Sequence, residues 1–321
     1  MGLSLDPNTC RDGVLNLRKA AGWTSHDVVA RLRASLGGMK VGHAGTLDPA
    51  ATGVLPILIG KGTRIAEYLL DWEKEYRAVL RLGETTDTLD ATGVVLDRRS
   101  VGAVTSEAVQ AATAAFTGRI RQLPPMYSAV KVKGVPLYKS ARQGRVVERE
   151  MRDVTVHRLD VEEITGRDVH LRIRCSKGTY IRTLCADIGE ALHVGGHLLS
   201  LERSKVGPLA VEEAIVLEEF ERRLGAGTGL VGIMPLDAAL SDLPACTIDT
   251  AAARRILHGT PAPYDSVVEW EGRQRDERRM HEGPIRIKDR DGRLLAIGFV
   301  QGTSGLAVKK LLVSEETTTC V

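Results

Sequence analysis

The run Gly42-His43-Ala44-Gly45-Thr46-Leu47-Asp48-Pro49-Ala50-Ala51-Thr52-Gly53-Val54-Leu55-Pro56 constrains this chain more than any other feature. It sets one carboxylate, Asp48, in a glycine-punctuated loop between a strand-like entry and an apolar exit. Because Asp48 precedes Pro49, its backbone is biased away from helical angles toward an extended conformation. Gly42, Gly45 and Gly53 supply backbone freedom and allow another group to approach closely. The apolar run from Val54 to Ile59 then reads as a short buried strand. Loops held between rigid elements are where chemistry commonly sits. Asp and Pro are also ordinary turn residues, and a Thr-Leu-Asp-Pro segment taken alone is more often just a turn.

A chain of 321 residues has room for two domains or one large one. With 43% hydrophobic and 26% charged residues it has the composition of a soluble globular protein. No apolar run approaches the about 20 residues that span a bilayer, and Met1 to Asp12 lacks the basic and apolar regions of a signal peptide. Five scattered cysteines without a Cys-x-x-Cys pair point to reduced thiols, a cytoplasmic location and no structural zinc. The net charge of +3 is unevenly spread. Residues 131–152 hold seven cations, among them Lys131, Lys133, Arg142 and Arg145, against the two carboxylates Glu148 and Glu150. Such a segment is either a polyanion contact or a solvated charged loop.

Periodicity places the remaining elements. Val14 to Leu17 reads as a strand. Thr24 and Asp27 form a capping box before Val28, Val29, Leu32 and Leu36 at helical spacing, and Gly37-Gly38 stops that helix. Glu75 to Leu82 alternates, with Tyr76, Ala78, Leu80 and Leu82 on one face. A polar loop follows from Gly83 to Asp90. Thr105 caps a helix ended by Gly118. Val169 to Cys175 alternates again, and Ile181, Leu184, Cys185, Ile188 and Leu192 then repeat at helical spacing. Tyr180 and Arg182 therefore fall at a helix start, where free N–H groups and the helix dipole suit an anion. A boundary near residue 240 is followed by a capped helix after Asp249, a hairpin over 285–300 and a strand over 308–313.

Several motifs fail on inspection. Gly53 through Lys61 lacks the glycine spacing and the hydroxyl residue of a P-loop, because Gly62 follows Lys61. Ser25-His26-Asp27 holds triad residue types at adjacent helix positions, which do not face one another. No histidine or cysteine spacing suits a metal. One carboxylate, two tyrosines, an arginine and a basic arm remain.

The Gly42–Pro56 run resembles the catalytic motif of the TruB family of tRNA pseudouridine 55 synthases, matching Gly-His-x-Gly-Thr-Leu-Asp-Pro-x-Ala-x-Gly-Val-Leu-Pro throughout. Other segments match in the expected order over most of the first 240 residues. The resemblance implies an α+β pseudouridine synthase fold, a large mainly antiparallel mixed sheet flanked by helices. It implies a catalytic domain over 1–240, with an RNA-clasping insertion at about 124–152, and a PUA-like RNA-binding β domain over 241–321. It assigns Asp48 as the catalytic carboxylate and Arg182 as its partner. Tyr76 becomes the ring that stacks on the flipped base and a candidate for removing the C5 proton. Tyr180 and Leu201 become pocket walls, His43 a space-filling group and Lys19 a support of the loop. The cations at Lys131, Lys133, Arg142 and Arg145 would meet phosphates of the tRNA T-arm. No cofactor and no metal are implied, and a monomer is expected. Without the resemblance, Arg182 reads as a surface residue, Tyr76 as a core ring and His43 as structural. Lys19 is followed by Ala20 where the family has proline, and Arg18 replaces a common aspartate. These departures touch the rigidity of that turn and leave the chemistry alone.

Overall fold

The computed structural model describes residues 12–102, 104–128, 130–132, 134–145, 147–228, 232–271, 283–301 and 305–313. Lys133 lies outside the described residues, as do the side chains of Lys131 and Arg142.

The strands of the large sheet lie side by side in the order Ile215–Val216, Gly13–Lys19, Thr52–Ile59, Gly196–Val206, Lys74–Leu82, Asp168–Cys175, Arg152–Thr165 and Gly118–Gln122. Val41–His43 and Leu209–Ala210 pair alongside Thr52–Ile59 and Gly196–Val206 respectively. Two joins are parallel, Gly13–Lys19 with Ile215–Val216 and Gly196–Val206 with Thr52–Ile59, and the others are antiparallel. The mainly antiparallel mixed sheet that the family resemblance implies is therefore present.

Thr52–Ile59 is apolar almost throughout because both of its faces are covered. Val54 and Leu58 join one core with Ile65 and Leu69, while Leu55, Ile57 and Ile59 join another under the helices Ser25–Ser35 and Leu217–Gly225. Lys74–Leu82 alternates as expected, burying Tyr76, Ala78, Leu80 and Leu82 against the helix Ile181–Ala191. Thr24 and Asp27 close their reciprocal capping box, and Gly37 and Gly38 end that helix at φ +64° and +85°.

The structure corrects the reading of residues 83–90 as loop. Glu84–Thr86 and Val95–Arg98 form a two-stranded hairpin. Val95–Arg98 is exposed along its length, so no alternating pattern marks it. The strand Arg152–Thr165 was also hidden, because two register shifts break its period of two.

A separate five-stranded sheet holds Val267–Glu271, Ala245–Ile248, Ile285–Lys288, Leu294–Gln301 and Gly305–Leu311, in that order. Asp249 caps the helix Thr250–Leu257 beside it, as its sequence position implies. Leu294, Ile297 and Leu312 join the core of Val54, Leu58 and Leu69, and Lys309 pairs with Glu67 at 3.0 Å. Among the described residues no helix is long and apolar enough to cross a membrane.

Candidate active site

The loop that carries Asp48 is fastened by groups from three elements. Lys19, 1% exposed at the end of its strand, donates from Nζ to the carbonyls of Ala20 at 2.8 Å, Trp23 at 2.8 Å and Pro49 at 3.0 Å. Ser25 Oγ accepts from Leu47 N at 2.9 Å and donates to Leu47 O at 3.2 Å. Arg203, 2% exposed, donates to Val54 O at 2.8 Å, Gly45 O at 3.0 Å and Thr46 O at 3.3 Å. Both buried cations are met by backbone carbonyls, Lys19 by the turn after its strand and by the loop, Arg203 by the loop and the strand that leaves it. Gly53 is required here: it sits at φ +102°, and a Cβ would lie 2.2 Å from the Arg203 carbonyl.

Held this way, Asp48 meets Arg182. Arg182 Nε lies 2.9 Å from Asp48 Oδ2, and Nη2 donates to Oδ1 at 3.2 Å. This is a two-pronged pair of the kind arginine forms with carboxylates. The guanidinium is 5% exposed and the carboxylate side chain 40%, so the cation is sheathed and the anion faces the cleft. Arg182 also donates to Tyr127 O at 2.7 Å and Thr88 O at 3.2 Å, and its Nε lies 3.8 Å from Asp90 Oδ2. Asp90 is itself held by Thr88 Oγ1 at 2.8 Å and by Thr92 N at 2.9 Å.

Burial pushes the Asp48 carboxyl above its ordinary range, against the pull of the Arg182 guanidinium. Asp90 adds to the rise, while Lys19 opposes it. Burial also pulls the Lys19 ammonium down to about 8 and pushes the Tyr76 phenol up to about 12.

A cleft of about 710 Å³ opens over the pair and is lined by Asp48, Tyr76, Tyr180, Arg182 and Leu201 among others. Five of the residues singled out in the sequence are thus brought to one cavity. Lys19 and His43 are not on its lining. Lys19 lies behind the loop, and His43 is partly buried with its Nδ1 unpartnered; burial lowers its basicity, with Arg203 and His26 adding to that. Arg145 is exposed, away from the cleft lining.

Arg203 and Asp90 were missed. Arg203 stands opposite Tyr76 across the sheet, as Leu201 stands opposite Ala78. The i, i+2 relation to Leu201 was the available signal, but an arginine on an inward strand face reads as an error in the alternation. Asp90 sits in a polar run whose residue types suggest only a turn.

The model of the "TruB family pseudouridylate synthase (N terminal domain)" matches residues 33–181, and that of the "tRNA pseudouridylate synthase B C-terminal domain" matches 182–241. A tRNA pseudouridine synthase B from Thermobifida fusca is 44% identical over 295 residues, covering 89% of this chain and 94% of the relative. One from Ralstonia pickettii is 48% identical over 255 residues, covering 78% and 80%. Among solved structures, a Cbf5-Nop10-Gar1 complex aligns with TM-score 0.74 at 28% identity, covering 98% of this chain and 92% of that one. An H/ACA RNP bound to a substrate RNA containing 2'-deoxyuridine aligns with TM-score 0.72 at 28% identity, covering 95% and 86%. Matching its models over 33–241 and its curated members over most of their length, the chain belongs to the TruB family of pseudouridylate synthases.

Proposed function

We propose that the chain is a stand-alone tRNA pseudouridine synthase that isomerises uridine 55 in the T-loop, with Asp48 as the catalytic carboxylate. The observation that carries this reading is the Asp48–Arg182 pair at the floor of the cleft. The reaction breaks the bond from the sugar C1′ to N1, turns the uracil, and joins C1′ to C5; C5 then loses a proton and N1 gains one. An ionised carboxylate serves each available first step, attack on the sugar, attack on the ring or removal of a sugar proton. Arg182 keeps that charge tolerable in a cleft that disfavours it.

A uridine inside a folded loop must be flipped out to reach Asp48. Tyr76 is the ring on which it stacks, a contact worth about 1–3 kcal/mol. Burial pushes its phenol up to about 12, so the ring packs as a neutral group, and Tyr76 is the candidate for taking the C5 proton. Tyr180 and Leu201 wall the base, Lys19 steadies the loop, and His43 fills space beside it.

The arm at 124–152, with Lys131, Lys133, Arg142 and Arg145, clasps the T-arm through phosphates, and the sheet after residue 240 serves as a PUA-like RNA-binding domain. The cleft is complete within one chain, consistent with a monomer, and we place the enzyme in the cytoplasm with its tRNA. The stand-alone form is favoured over a guide-RNA subunit, because the relatives that share 40–48% identity are named for tRNA while the H/ACA neighbours share 28%.

An isolated T-arm stem-loop tests the recognition. Multiple-turnover conversion of this stem-loop by the purified chain alone is the expected result. Conversion only after a guide RNA or a partner protein is added would overturn the reading.

A further inference from the structure

The start of the catalytic helix is gripped by a buried amide that no step above uses. Gln122 ends the edge strand Gly118–Gln122 and is 1% exposed. Its Oε1 accepts from Tyr180 N at 2.9 Å, and its Nε2 donates to Tyr180 O at 3.3 Å. Tyr180 is the N-cap of the helix Ile181–Ala191 and makes no side-chain cap of its own. Gln122 therefore satisfies a backbone donor that a helix start leaves open. Two residues on, Arg182 donates to Tyr127 O at 2.7 Å, and Thr183 Oγ1 donates to Leu123 O at 3.4 Å. From the far end of the basic arm, Arg149 donates to Pro124 O at 2.9 Å, and Arg152 stands opposite Gln122 in the sheet. Segment 122–127 is thereby held between the arm's return and the helix that presents Arg182.

We infer that Gln122 is a positioning residue, fixing the helix start so that Arg182 keeps its two-pronged hold on Asp48 with the root of the arm attached. The inference rests on the function proposed above. A guanidinium displaced by even about 1 Å costs on the order of 100-fold in rate when geometry is the source of catalysis. Gln122 does not touch Asp48 and is not itself on the cleft lining; it meets the lining residue Tyr180 through backbone atoms only, so its removal should cost rate far more than affinity for RNA.

The test uses the full chain with Gln122→Met, which keeps the side-chain length and removes both hydrogen bonds. A second variant, Gln122→Glu, keeps the acceptor for Tyr180 N–H and should fall between Met and wild type. Single-turnover rate, dissociation constant for the same T-arm RNA and the pH dependence of the rate are measured together. The Met variant is expected to lose about 10- to 100-fold in rate with RNA affinity within about twofold. Its acid limb is expected to move to higher pH. The charged groups facing Asp48 are Arg182, Asp90, Lys19 and Arg203, and only the hold of Arg182 is loosened. If the Met variant does not fold, the Glu variant carries the same readouts. A rate near wild type, a loss confined to affinity, or a slower enzyme with an unmoved acid limb would each overturn the inference. Wild type without turnover would instead overturn the functional reading itself.

Discussion

Asp48→Asn is expected to remove turnover, by roughly four orders of magnitude or more, while the variant still folds and binds RNA. Asparagine has the volume of aspartate, but its neutral amide neither attacks carbon nor takes a proton. The scaffold should persist, because Arg182 keeps the carbonyls of Tyr127 and Thr88 and the nearby Asp90 carboxylate. The loop keeps the anchors of Lys19, Ser25 and Arg203, none of which is a bond to the Asp48 carboxylate. Single-turnover kinetics with a parallel binding assay separate the effects. A variant that retains even one tenth of the wild-type rate would remove Asp48 from the chemistry.

Arg182→Met is the second large effect, expected to cost about 100- to 1,000-fold in rate, as loss of a preorganised charge does. Its pH dependence carries the sharper information. In the folded protein, burial raises the Asp48 pKa, Asp90 raises it further, and Arg182 is the foremost group opposing them. Ionised Asp48 is therefore lost as pH falls through a value above that of an ordinary aspartate, and the wild-type acid limb lies there. Removing Arg182 takes away the foremost of the cations opposing burial and Asp90 and leaves Lys19 and Arg203, so the limb moves to still higher pH. Part of the lost rate should return as pH is raised. Arg182→Lys keeps the charge without the fork and should fall between the two. A Met variant whose acid limb coincides with that of wild type would show that the guanidinium does not govern the charge on Asp48.

The parts of this site that were legible in the sequence are those whose signal is local. Asp48 sits in a long motif, Tyr76 on a cleanly alternating strand and Arg182 at a well-marked helix start, but their roles came from the family resemblance, since periodicity alone made Tyr76 a core ring and Arg182 a surface residue. Thr24 and Asp27 spelled out a capping box, and it formed. What stayed hidden depends on distant pairing. Arg203 is buried only because Gly196–Val206 inserts beside Thr52–Ile59, where its guanidinium finds three carbonyls. Gln122 is an ordinary polar residue until the sheet edge brings it to Tyr180, 58 positions along the chain. Asp90 reads as a turn residue, and its place beside Arg182 follows from the loop that bonds to Leu198 through Leu89 and Ala91.

The measurement that most directly tests the account is tritium release from a tRNA transcript labelled at C5 of its uridines, counted per molecule of tRNA. The account predicts one equivalent from the transcript with uridine at position 55, and none when that position is cytidine or when Asp48→Asn replaces the wild-type chain. Tight binding of the uridine transcript without release, or release that persists with cytidine at 55, would contradict it.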